Sequence, residues 1–265
     1  MKIYDFSTCL EKKLLKDTDV ALAIGVFDGV HLGHREIFSR LVSRAQQQPG
    51  CRSVVITFGT NPKNRDQRPL DTMRLRCQYI ESFSVDCTIV IDFSRDFSMI
   101  SGREFIRLLC TMCRVKAVIV GEDFKCGSPC DSVAASQLSG VFADNGLSVD
   151  VIIIPPVQDS AHVRISSTHI RQLISQGDLA AACTLSGAPY RYDLCGNSFE
   201  RVSDGYITRA VTDQRLPGDG CYRGSLVLPD LKETEVTVCF SSDCMKIVPS
   251  GDLDLVRADS VKIFG

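Results

Sequence analysis

Apolar runs and longer amphipathic stretches alternate through the first 185 residues or so. The runs ALAIGVF, SVVITF, TIVIDF, KAVIVG and VDVIIIP are rich in β-branched residues and nearly continuous, as in strands covered on both faces. Between them, apolar positions recur at helical spacing over roughly residues 34–48, 71–84, 101–113 and 132–145. Asp71 and Ser101 each precede such a stretch and are expected to cap it. Five strands separated by helices predict right-handed crossovers and a parallel, doubly wound α/β sheet of the Rossmann-like kind. Ligands of such sheets sit beyond the carboxyl ends of the strands.

Past about residue 190 the texture changes. GNSFERVSDGYITRAV, GCYRGSLVLP, TEVTVCF, MKIVPSG and ADSVKIFG are short runs broken by Gly, Pro and Asp. They predict a small, mostly antiparallel β domain, as a sheet or barrel. The boundary is expected at residues 187–190, dividing the chain into a domain of residues 1–188 and a β module of residues 189–265.

Composition narrows the class. Hydrophobic residues make up 44% and charged residues 23%, the balance of an ordinary globular chain. A formal net charge of -2 provides no global field for nucleic acid or an acidic membrane, so neither partner is expected. The opening MKIYDFSTCLEKKLLKD lacks the apolar core of an export signal, which predicts a cytoplasmic location. The 13 cysteines are therefore expected as reduced thiols, with Cys87 and Cys239 serving as small hydrophobes inside apolar runs. Cys110, Cys113, Cys126 and Cys130 have a spacing open to zinc. The first pair falls inside the helical pattern FIRLLCTMC, however, and no metal site built from protein side chains is expected.

Candidate chemistry concentrates in two segments. In AIGVFDGVHLGHREIF, residues 23–38, a strand ends near Gly25 and a turn carries Val26, Phe27, Asp28 and Gly29. His31, Gly33 and His34 follow where a helix begins. Two of the chain's 4 histidines thus fall on one glycine-rich strand-to-helix turn, where imidazoles and backbone amides can face a bound phosphate together. Gly33 removes a side chain where ligand or backbone must come close. Transfer at an α-phosphate asks the protein for positioning and charge stabilisation, and no nearby Ser or Cys reads as a nucleophile. The second segment, RISSTHIRQLISQGD, residues 164–178, sets Ser166, Ser167 and Thr168 at the start of an amphipathic helix, bracketed by Arg164 and Arg171. Hydroxyls, guanidinium groups and a helix start can hold a polyphosphate tail, or equally form a well-capped helix.

The two segments together resemble the HxGH nucleotidyltransferase superfamily, which pairs a GxFDxxHxGH turn with an SSTxIR turn. The likeness is closest to the FMN adenylyltransferase domain of bacterial bifunctional riboflavin kinase/FAD synthetases, through Gly29, the VGEDF of residues 120–124, the GD-x-x-x-A of residues 177–182 and the Gly-x-Pro-Tyr of residues 187–190. That resemblance implies an ATP-dependent enzyme making FAD and pyrophosphate from FMN and ATP, with Mg²⁺ accompanying the ATP. It implies that His31 and His34 bind the phosphates and stabilise the α-phosphate in flight, and that Arg171 assists them. Gly25, Val26, Phe27, Asp28 and Gly33 would line the nucleotide pocket, and Arg164, Ser166, Ser167 and Thr168 would grip the outer phosphates. Thr57, Asn61, Asp123 and Phe124 would lie toward the acceptor.

Departures from the family pattern leave other readings open. TFGTNP at residues 57–62 puts Gly59 and Asn61 where the family has an acid and a histidine, and Cys126 replaces an aromatic. Both loops face the acceptor in the family, so another phosphorylated acceptor, or a non-catalytic flavin- or nucleotide-binding protein, is the alternative. The family's kinase half carries a Pro-Thr-Ala-Asn turn; residues 190–265 have no Pro-Thr pair. The resemblance therefore implies a degenerate, truncated kinase half without riboflavin kinase activity.

Overall fold

The computed structural model describes residues 1–59, 67–92, 97, 99–209, 212–230, 232–241, 244–250 and 258–264. The chain packs as two compact units, one of Met1–Gln67 with Cys77–Gln158, the other of Arg68–Arg76 with Asp159–Gly265.

In the first unit the strands β1 (Lys2–Asp5), β2 (Asp19–Ile24), β3 (Arg52–Phe58), β4 (Cys87–Ile91) and β5 (Arg114–Gly121) are followed by a two-strand hairpin, β6 (Lys125–Cys126) and β7 (Val133–Ala134), and then β8 (Asp150–Ile154). Six of them form one sheet in the order β1-β4-β3-β2-β5-β8. Every pairing in it is parallel. Helices α1 (Phe6–Glu11), α2 (Leu32–Gln46), α3 (Met73–Ser82), α4 (Gly102–Met112) and α5 (Leu138–Asp144) occupy the connections.

Burial explains why the strands read as continuous apolar runs. Val20, Leu22 and Ile24 of β2 join a core with Phe105, Ile106 and Leu109 of α4 and Val141 and Phe142 of α5. The alternate residues Ala21 and Ala23 face Ile37, Phe38 and Leu41 of α2. Both faces are therefore apolar, and only small residues fit where α2 lies close. All five predicted strands form. The sixth, β1, escapes sequence reading because KIYD is mostly exposed and joins the edge by backbone pairing with β4.

Helix starts correct the expectations in two places. Ser101 caps α4 as expected, accepting from the Glu104 amide at 3.1 Å. At the start of α3 the Thr72 hydroxyl, one position past the buried Asp71, accepts from the Leu75 amide at 3.3 Å. The helix expected over residues 132–145 is shorter, a 3₁₀ turn at Ala135–Gln137 leading into α5.

The second unit holds helices α6 (Ser167–Ser175) and α7 (Leu179–Ser186) and an antiparallel sheet. Its strands are β9 (Tyr190–Asp193), β10 (Glu200–Val202), β11 (Gly205–Arg209), β12 (Gly220–Val227), β13 (Glu233–Ser241), β14 (Cys244–Pro249) and β15 (Ser260–Ile263), in the order β10-β11-β14-β13-β12-β15-β9. On β13, Val236, Val238 and Phe240 are buried while Glu235, Thr237 and Ser241 are exposed, the period of two of a sheet with one covered face.

The segment Arg68–Arg76 is clasped into this unit. Arg74 Nε donates to Asp193 at 3.1 Å and its Nη2 to the Asp259 carbonyl at 2.9 Å, with a further ion pair from Arg74 Nη1 to the Asp259 carboxylate. Gln214, fully buried, donates to the carbonyls of Leu70 at 2.7 Å and Arg191 at 2.6 Å and accepts from the Asp193 amide at 2.9 Å. Four backbone and side-chain polar groups are thereby satisfied away from water.

Cys239, expected as a free thiol, is instead bonded to Cys221, directly opposite it on β12. The pairing became visible only once the register set the two side by side. The other eleven cysteines are free.

Candidate active site

The turn between β2 and α2 is held in an unusual shape by its own residues. Phe27 adopts a positive φ of 52°, a left-handed conformation costly for a residue with a side chain, and Gly29 follows at 75°. That twist folds the Phe27 ring back over the end of β2. A Cβ placed on Gly25 would lie 2.9 Å from two carbons of that ring, so only glycine fits there. Phe27 is buried, packing 4.8 Å from the Phe38 ring and edge-on to His34 at 5.3 Å. From below, Thr57 at the end of β3 is wholly buried and donates its hydroxyl to the Val26 carbonyl at 2.8 Å.

On this platform the two histidines meet. Their rings stack with centroids 3.7 Å apart and planes within 20° of parallel. His31 occupies the N-cap of α2 with extended backbone, yet its side chain makes no capping bond to the helix amides. The first turn of α2 carries no acidic residue. Its positive end is therefore not neutralised by the helix's own side chains. Gly33 lies under the His31 ring, where a Cβ would come within 3.2 Å of Cε1. Asp28 is buried beside them.

Sheet topology fits this turn to ligand binding. From β2 the chain moves outward through β3 and β4, then returns to the opposite side of β2 for β5. The strand order thus reverses between β2 and β5, and the histidine turn stands at the carboxyl end of that gap, where open α/β sheets form their ligand crevices. Asp123 lies just beyond the carboxyl end of β5 and is exposed, its carboxylate close against Gly121. Phe124 is half-buried against the hydrophobic core, which limits how much of its ring can face a ligand. Asn61 lies outside the described residues.

The second motif belongs to the second unit. Ser166 is the N-cap of α6, its hydroxyl accepting from the His169 amide at 3.3 Å. Ser167 and Thr168 follow in the first turn, half-buried and exposed respectively, again with no acidic residue beside them. Arg171 is buried, and its Nε donates to the Arg68 carbonyl at 3.2 Å. Arg164 is exposed ahead of the helix. The Arg68 contact and the Gln214 clasp were invisible to sequence reading, since Gln214 carries no motif and meets Leu70 across 144 positions.

A family model for FAD synthetase matches residues 13–169, more than half of the chain. The chain belongs to the FAD synthetase family. The match takes in both phosphate-type turns up to His169. Among relatives, the bifunctional riboflavin kinase/FMN adenylyltransferase of Haemophilus influenzae is 35% identical over 182 residues, 64% of this chain and 56% of that protein. The protein of the same description from Buchnera aphidicola subsp. Schizaphis graminum is 31% identical over 181 residues, 66% of this chain and 56% of its own length. This FAD synthetase family member therefore spans a little over half the length of those relatives. A crystal structure of a macrolide-efflux protein from Streptococcus pneumoniae superposes with a TM-score of 0.79 at 22% identity, covering 100% of this chain and 89% of that one. At that identity the likeness is one of fold.

No helix among the described residues is long and apolar enough to cross a membrane. Among the same residues no cluster of three or more His, Cys, Asp or Glu forms a metal cage.

Proposed function

We propose that this FAD synthetase family member is an FMN adenylyltransferase, joining FMN to the AMP portion of ATP with release of pyrophosphate. In this reading an oxygen of the FMN phosphate attacks the α-phosphorus of ATP, the bond to the bridging oxygen breaks, and pyrophosphate leaves. ATP enters as its Mg²⁺ complex, and the ion neutralises charge on the phosphates. The protein supplies position and electrostatics rather than a covalent nucleophile.

Each residue has a part in this reading. His31 and His34 donate to the non-bridging oxygens of the α-phosphate, helped by the positive end of α2, whose first turn carries no acidic residue. Phe27 and Gly25 shape the wall of the nucleotide pocket, and Val26 and Asp28 complete it. Thr57 braces that wall from beneath. The start of α6, with Ser166, Ser167 and Thr168, takes the outer phosphates, and Arg164 and Arg171 balance the charge of the departing pyrophosphate. Asp123, with Phe124 behind it, lies toward the acceptor. The transferase is assigned to residues 1–188, and residues 189–265 are a kinase-like module without kinase activity, because they lack the Pro-Thr turn.

The stacked histidine pair at a helix start with no acidic residue in its first turn carries this reading. Incubation with FMN, ATP and Mg²⁺ tests it through formation of FAD and an equal amount of pyrophosphate. One observation supports a second reading: Gly59 stands where the family carries an acid, on a loop toward the acceptor. Pyrophosphate release with a different phosphorylated acceptor, and none with FMN, would select it.

A further inference from the structure

The outer face of the second unit's sheet carries a feature the transferase reading does not use. Cys221 and Cys239 are opposite each other on β12 and β13, and their disulfide lies on the solvent side, with Cys221 exposed. Lys246 of β14 is directly opposite Cys239, and its ammonium is 2.7 Å from the Asp204 carboxylate. Arg223, two residues along β12 and also exposed, shares the face with Cys221. The exposure of Cys221 leaves this disulfide open to an incoming thiolate, whereas the Lys246 charge is already balanced by Asp204. Three of the other cysteines are unlike these: burial pushes the thiols of Cys87, Cys113 and Cys126 up to about 12, which leaves them inert near neutrality.

The same strand is tied to helix α6. Tyr222, next to Cys221, donates its hydroxyl to the Gly218 carbonyl at 2.7 Å. The Gly218 amide in turn donates to the Ile174 carbonyl at 3.0 Å, and Arg215 Nε donates to the Ser175 hydroxyl at 2.8 Å. Gly177 has a φ of +77°, and a Cβ on it would lie 2.5 Å from the Tyr222 hydroxyl oxygen. Ser175 closes the path by donating to the Arg171 carbonyl at 2.6 Å. The start of β12 therefore fixes the carboxyl end of the helix whose other end carries Ser167, Thr168 and Arg171.

We propose that the Cys221–Cys239 disulfide is a thiol-exchange site for a dithiol reductant, and that opening it loosens helix α6. A thiolate of the dithiol attacks the sulfur of the exposed Cys221, the Cys221–Cys239 bond breaks, and Cys239 leaves as a thiolate and takes up a proton. The second thiol of the reductant then attacks the mixed disulfide, releasing Cys221 and leaving the reductant as a cyclic disulfide. Two electrons and two protons pass to the protein. Exposed disulfides react in this way far more readily than buried ones. Freed of its staple, the start of β12 no longer holds Tyr222 and Gly218 against the helix. Only the catalytic consequence rests on the FMN adenylyltransferase reading.

The test uses the full chain isolated without reductant. Of 13 cysteines two are bonded, so alkylation after denaturation should label eleven, and thirteen once the native protein has met dithiothreitol. Thirteen before treatment, or eleven after it, overturns the exchange site. Hydrogen exchange at the Gly218 and Gly177 amides should quicken at least about tenfold on reduction, and equally in Cys221→Ser and Cys239→Ala without reductant. Unchanged exchange in all three overturns the coupling to α6. If FAD forms, reduction should lower kcat/KM for ATP about fivefold, whereas an unchanged kcat/KM counts against the coupling. If no FAD forms in either redox state, the transferase reading fails while the thiol count and the amide exchange still decide this proposal.

Discussion

Stacked imidazoles at 3.7 Å leave little room for error in where their ring nitrogens point, so each histidine should matter alone. Loss of one donor to a developing phosphate charge typically costs about 3–4 kcal/mol. His31→Ala and His34→Ala are each expected to lower kcat for FAD formation by about 10²–10³-fold, with the fold intact by circular dichroism. Steady-state kinetics checks this, and a loss under about threefold would mean the rings do not face the reaction. Gly25 gives a different kind of test. A methyl group there meets the Phe27 ring at 2.9 Å, and relieving that overlap means moving a buried ring or a strand end. Gly25→Ala should lower stability by about 1–3 kcal/mol, read in a denaturant melt. It should also lower activity, because the displaced ring touches His34. Cys221 and Cys239 show the limit of reading single residues. In a list of apolar runs Cys239 looks like a small hydrophobe, and only strand register reveals its partner.

At the scale of elements, the sequence displayed what repeats and concealed what pairs at a distance. The strands β2, β3, β4, β5 and β8 and the starts of α2, α4 and α6 follow local rules: β-branched runs, a glycine-rich turn, and Ser101 and Ser166 as caps. The edge strand β1 was hidden because KIYD has no apolar run, and at α3 the Thr72 hydroxyl, one position past Asp71, accepts from the Leu75 amide. The clasp on Arg68–Arg76 was equally hidden, since its partners lie more than a hundred positions away. That clasp should sense acid. Burial acts to raise the Asp193 carboxyl, but the Arg74 guanidinium, the Thr72 hydroxyl and the Cys195 amide outweigh it and hold it below the ordinary carboxylate value. A depressed folded value means that its stabilisation is complete above the unfolded carboxyl's pKa of roughly 4 and fades as pH falls through the folded value. Asp193→Asn should therefore cost about 2–3 kcal/mol at neutral pH, from an Arg74 left with the Asp259 carboxylate as its one anionic partner in the clasp, and the difference from wild type should shrink below about pH 4. Denaturant melts across that range check it; a constant difference would place the clasp elsewhere.

Across the whole molecule, two units with different strand chemistry share one chain, and a solved structure reproduces that architecture over the full length at low identity. The family match ends at residue 169, inside α6, and the antiparallel sheet follows. On our reading that sheet has kept the clasp and the staple and lost the kinase chemistry. Riboflavin with ATP and Mg²⁺ should therefore yield no FMN, even over hours; sustained FMN formation, followed by chromatography, would show that the missing Pro-Thr turn is not needed. The measurement that bears most directly on the central claim is the reaction with FMN, ATP and Mg²⁺, with FAD and pyrophosphate quantified together for wild type and His34→Ala. The account predicts equimolar FAD and pyrophosphate from the wild type and a loss of about 10²-fold or more in the variant. Pyrophosphate without FAD, or FAD formed equally well by both proteins, would contradict it.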